Sequence, residues 1–164
     1  MANNYLQFSL HVPLKIKAKL RWVAKTLAAI TRLFDSPGEI DEKRARALGP
    51  LGKRIIDERW DYLDFQWSLE PAHDDAHVGA LWIYADESGN PDQVAVVLEE
   101  YLKLFAPTGV ITFTWACTCS KMRVDEFSGG AAVVTAGGTK MLDAQSWAED
   151  LAAKFVSTAP ETSP

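Results

Sequence analysis

Hydrophobic residues along this chain switch repeatedly between a period of two and a period near 3.6, and the switches fall at proline, glycine and asparagine punctuation. Strand and helix signals in that succession predict an α+β sandwich with helices packed on one sheet face. The first six principal elements read β-α-β-β-α-β, the split repeat of a ferredoxin-like sandwich. A helical insertion after the first helix, an extra strand and a C-terminal helix extend it.

The first strand is expected over Leu6 to Val12, where Leu6, Phe8, Leu10 and Val12 alternate with Gln7, Ser9 and His11. From Pro13 the period changes: Ile16, Leu20, Val23, Leu27, Ile30 and Phe34 form the stripe of an amphipathic helix that Asp35-Ser36-Pro37-Gly38 ends. Residues 36–63 read as an insertion: a charged helical stretch from Glu39 to Leu48, a break at Gly49-Pro50-Leu51-Gly52, and a further turn or two from Lys53 to Leu63. Phe65, Trp67 and Leu69 restore alternation, and a nine-residue loop from Pro71 to Gly79 joins this strand to another over Ala80 to Ala85 as a hairpin. Asn90 and Pro91 supply an N-cap and a first-turn proline for a helix that buries Val94, Val97, Leu98, Tyr101, Leu102 and Phe105. Strand four runs from Val110 to Cys117, with Ile111, Phe113, Trp115 and Cys117 on one face. Ala131 to Ala136 makes a fifth strand, and the pairs Gly129-Gly130 and Gly137-Gly138 read as turns. Asp143 caps a last helix whose inward stripe is Trp147, Leu151 and Phe155.

At 164 residues, with 48% hydrophobic and 24% charged side chains, the chain suits a single domain, expected over 1–156 with a disordered tail over 157–164. No segment has the roughly 18 consecutive apolar residues of a membrane span, and no secretory pattern opens the sequence, so a cytoplasmic protein is expected. The net charge of −5 hides an asymmetry: residues 1–59 carry twelve basic and six acidic side chains, and residues 60–164 carry five and sixteen. The basic 15–59 segment is the one place where nucleic acid or another polyanion would be attracted.

Thr112 to Gly130 holds the densest set of reactive side chains, including both cysteines. Cys117-Thr118-Cys119 offers two thiols, yet a structural zinc site needs about four ligands and there is no second cysteine pair. A disulfide across one residue would be strained and would close almost no loop. His73 and His77 are four apart with carboxylates between them, but between Pro71 and Gly79 they read as loop rather than as one face of a helix. His11 is poorly placed to serve a cysteine nucleophile at Cys117, because alternation sends the two to opposite sheet faces. Neither glycine pair is followed by the lysine and hydroxyl residue of a phosphate loop. These patterns assign no catalytic residue, metal ligand or cofactor; Lys121, Arg123, Asp125, Glu126 and Phe127 in the 118–130 loop are the candidate binding residues.

Leu81-Trp82-Ile83-Tyr84, Gly89-Asn90, Thr114 to Lys121 and Glu126 to Ala131 resemble a group of small uncharacterised bacterial and mobile-element proteins over roughly residues 80–155. The resemblance implies no catalytic residue, since no established activity accompanies it. The expected function is that of a non-catalytic binding protein, presenting a sheet face and the 118–130 loop to a protein partner that can be a second copy of itself. Two alternatives stand beside it: a mobile-element accessory or inhibitor protein acting on a host nucleic-acid or defence machine, and a thiol- or metal-dependent enzyme.

Overall fold

The computed structural model describes residues 3–35, 40–72, 77–121 and 126–158. Strand β1 (Asn4–Leu14) is followed by helix α1 (Lys17–Phe34) and two short helices, α2 (Glu42–Arg46) and α3 (Pro50–Asp57). Strands β2 (Gln66–Glu70) and β3 (Gly79–Ala85) lead into α4 (Pro91–Phe105), then β4 (Val110–Cys119), β5 (Ser128–Thr135), β6 (Gly138–Asp143) and α5 (Ala144–Thr158). The strands form one six-stranded sheet in the order β2-β3-β1-β4-β5-β6, with every neighbouring pair antiparallel, in an α+β fold.

Alternation decides which way each strand faces. In β1, Phe8, Leu10, Val12 and Leu14 are buried while Gln7, Ser9, His11 and Pro13 are exposed. Leu81, Ile83 and Ala85 of β3 join the same core, which turns Trp82 and Tyr84 to the other face. Phe113, Ala132 and Val134 continue it through β4 and β5. Helix α1 closes over β1 and β3 with Val23, Leu27, Ile30 and Leu33, and α4 lies against β4, β5 and β6. Because α3 also packs on α4, every residue of α4 from Val94 to Leu102 is buried. Completely buried aliphatics such as Leu27, Ile30 and Ile83 each favour folding by about 1.5–3 kcal/mol.

Polar contacts hold the insertion in place. Gln93, buried on α4, accepts from the Asp64 backbone N–H at 2.9 Å and donates to the Tyr62 carbonyl at 3.0 Å. Asn90 caps α4 as its residue type predicts, its side chain accepting from the Asp92 and Gln93 backbone N–H groups at 3.0 and 3.2 Å. Arg54 on α3 donates to Glu58 at 2.9 Å and to Glu99 on α4, whose other oxygen accepts from the Thr139 hydroxyl at 2.7 Å. Burial pulls the Arg54 guanidinium down, but the hydrogen bonds and charges of Glu58 and Glu99 outweigh it and hold the group above its ordinary value.

Several boundaries differ from the sequence reading. Pro13 belongs to β1, opposite Ala80, and α1 starts only at Lys17. The β4 register of β1 runs from Asn4 opposite Cys119 to Gln7 opposite Ala116, so Pro13 lies beyond it and its missing N–H interrupts no ladder on that side. Gly49 alone breaks the insertion helices: its φ of +66° suits glycine, and Pro50 then starts α3 with Leu51 and Gly52 inside it. Gly129 and Gly130 are not a turn but lie within β5, where a Cβ on Gly130 would overlap the Trp115 indole. Gly138 to Asp143 forms a sixth strand that the sequence reading does not contain. Asp143 does cap α5, accepting from the Ser146 N–H at 2.9 Å, but Trp147 and Leu151 of the expected inward stripe are 54% and 36% exposed, and the Phe155 side chain lies outside the described ones. No helix among the described residues is long and apolar enough to cross a membrane.

Candidate binding surface

Helices α1 and α4 cover one sheet face and leave the other open. Pairing register places the residues of that open face in order. Gln66, Ser68 and Glu70 of β2 stand beside Tyr84, Trp82 and Ala80 of β3, which stand beside Ser9, His11 and Pro13 of β1. Thr112 and Thr114 of β4 then meet Val133 and Ala131 of β5, which meet Lys140 and Leu142 of β6. Gln7, Ser9, His11, Thr112 and Thr114 are all exposed, as alternation requires.

The face changes character from one edge to the other. Near β3 it is aromatic and hydrogen-bonded: the Trp82 and Tyr84 rings stack with centroids 4.1 Å apart, and Trp82 Nε1 donates to Ser9 Oγ at 2.9 Å. Ser68 Oγ donates to Glu70 at 2.8 Å, and Gln7 Nε2 to the Asp86 carbonyl at 2.8 Å. Toward β6 it becomes apolar, with Val133 and Leu142 both 44% exposed. Helix α5 leaves the sheet at that edge and adds Trp147 and Leu151 to the exposed apolar surface.

The loop between β4 and β5 is shorter than the 118–130 span. Thr118 and Cys119 pair with Tyr5 and Asn4, and Ser128 to Gly130 already belong to β5. Of the five candidate binding residues, Lys121 is exposed, Glu126 is half-buried and Phe127 is 48% exposed. Arg123 and Asp125 lie outside the described residues. Phe127 and Ser128 share a cleft of about 370 Å³ with Ala144, Gln145, Ala148 and Glu149 of the first turns of α5. The loop's aromatic residue therefore stands against the start of α5, a connection that local sequence could not show.

The cysteines take no part in that surface. Cys117 is half-buried and Cys119 buried, both free thiols on the inward side of β4, while His11 stands on the opposite face. His73 lies outside the described residues. Among the described residues no three His, Cys, Asp or Glu side chains gather as metal ligands would. Comparison of the chain with protein-family models, with curated proteins and with solved structures finds no match.

Proposed function

We propose that this chain is a non-catalytic binding protein built on a ferredoxin-like unit, and that it associates with a second copy of itself through the β6–α5 edge. Support for the unit comes from the order β2-β3-β1-β4, antiparallel throughout, with α1 and α4 as the two crossover helices on one face. On this reading α2 and α3 are the insertion, and β5, β6 and α5 the extension.

The observation that carries the binding role is apolar surface concentrated at one edge. Val133 and Leu142 on the open face, Met141 on the other face of β6, and Trp147 and Leu151 of α5 are all at least 36% exposed. Exposed apolar side chains gathered along one edge in this way are a mark of an interaction site. Strand β6 is also an edge strand, paired with β5 alone, and offers its outer backbone groups to another strand. A second β6 is a self-complementary occupant: antiparallel pairing about Met141 sets Thr139 opposite Asp143, a hydroxyl against a carboxylate, with Lys140 opposite Leu142. A two-fold contact of that form closes on itself.

Light scattering at tens of micromolar tests the reading. The expected mass is that of a dimer, and the double variant Trp147→Ser, Leu151→Ser is expected to shift it to a monomer with an unchanged circular dichroism spectrum. A wild-type chain that stays monomeric at every concentration and captures nothing in a pull-down would sink it.

A further inference from the structure

At the opposite edge of the sheet, where the last turn of α1 meets the start of β2, the surface opens into a cleft of about 500 Å³. Five aromatic side chains line it, Phe34, Tyr62, Phe65, Trp67 and Tyr84, and Asp35 supplies the single carboxylate among the described lining residues. This volume is within the range of small-molecule sites.

Three features point to a positively charged ligand. Aromatic faces carry negative quadrupole density and attract cations, most strongly when the cation is poorly hydrated. Asp35 adds a formal negative charge at the rim. The cleft also adjoins the C-terminal end of α1, an 18-residue helix whose unsatisfied carbonyls carry the negative end of the macrodipole. Arg32, in the same last turn, is exposed and does not line the cleft.

Two of the lining rings are fixed before any ligand arrives. Trp67 Nε1 donates to Thr31 Oγ1 at 3.1 Å, and Thr31 in turn donates to the Leu27 carbonyl at 2.9 Å. Tyr84 is held by its stack on Trp82, and Gln93 holds the Tyr62 carbonyl. Trp67 and Tyr84, already held in place, lose little freedom on binding.

We infer that this cleft binds an organic cation of the methylated-ammonium class. One carboxylate and several rings suit a bulky, diffuse charge; a primary ammonium would give up a tighter hydration shell for fewer hydrogen bonds than it loses. The inference is independent of self-association, because cleft and β6–α5 edge lie at opposite ends of the sheet.

Titration calorimetry with choline at constant ionic strength is the test, with 3,3-dimethylbutan-1-ol as the neutral isostere. Choline is expected to bind saturably and the isostere not to. Tyr62→Ala removes a ring that is 61% exposed and contributes little to the core, and is expected to weaken choline by about threefold to tenfold. Asp35→Asn is expected to weaken it by about twofold to fivefold. A peptide carrying trimethyl-lysine distinguishes the source: tighter binding than choline assigns the cation to a protein side chain, and equal or weaker binding assigns it to a free small molecule. Absence of saturable binding by both cations, equal binding of the neutral isostere, or choline affinity unchanged in a folded Tyr62→Ala variant would overturn the inference.

Discussion

Gly130 shows how one missing methyl can set a position. Its Cα faces the Trp115 indole across the β4–β5 pair, and a Cβ there would meet both that ring and the Leu142 carbonyl. Backbone carbonyls do not give way as a flexible side chain does, so Gly130→Ala must displace the indole or spread the strands. We expect a loss of about 1–3 kcal/mol, read as a lower urea midpoint, and a shift in tryptophan fluorescence. An unchanged midpoint would mean that Trp115 has another place to go. As letters in a sequence, Gly129 and Gly130 look like a turn, because glycine signals both positive φ and close approach. Only the partner across the strand distinguishes them, and that partner is fifteen residues away. The Arg54–Glu99–Thr139 group was hidden for the same reason: each charge looks like an ordinary surface residue until α3, α4 and β6 are brought together.

Elements with strong periodicity were legible and elements without it were not. Strand β1, helix α1 and helix α4 follow from alternation, a 3.6-residue stripe and the Asn90-Pro91 cap. Strand β6 has no such signature; Gly-Thr-Lys-Met-Leu-Asp becomes a strand through its register with β5, from Thr135 opposite Gly138 to Gly130 opposite Asp143. Helix α5 teaches a different lesson. The spacing of Trp147 and Leu151 identified an apolar stripe correctly, but a stripe says which face is apolar and not that the same chain covers it. With so little burial, α5 depends on its local start. The Asp143 carboxyl is held below its usual range, chiefly by the Ser146 backbone N–H, so the cap stabilises the helix above the unfolded carboxyl value near 3.9 and is lost as pH falls through the lower folded value. Far-UV circular dichroism is expected to lose helix signal in that acid window, with Asp143→Ala showing the reduced signal already at neutral pH. Equal helix content in wild type and Asp143→Ala at neutral pH would show that the cap is dispensable.

For the molecule as a whole, the open face follows from topology: both crossover helices lie on one side, so one layer of side chains is left to solvent or to partners. Its gradient from stacked aromatics near β3 to bare aliphatics at β6 could be read from sequence only in part, since alternation within Leu81-Trp82-Ile83-Tyr84 fits the core in either phase. The central position of β1 also governs the order of assembly. Thr135 and Gly138 meet by closing three residues of chain, whereas Asn4 and Cys119 must close more than a hundred. Loop entropy separates those events by about 3 kcal/mol, so the β4–β5–β6 meander is expected to protect its amides first in pulsed hydrogen exchange, and the β1–β4 ladder last. Simultaneous protection of both would contradict that order. Until β1 arrives, the unpaired side of β4 is a second sticky edge. The strand at the centre of the finished sheet is therefore also the nascent chain's safeguard against aggregation.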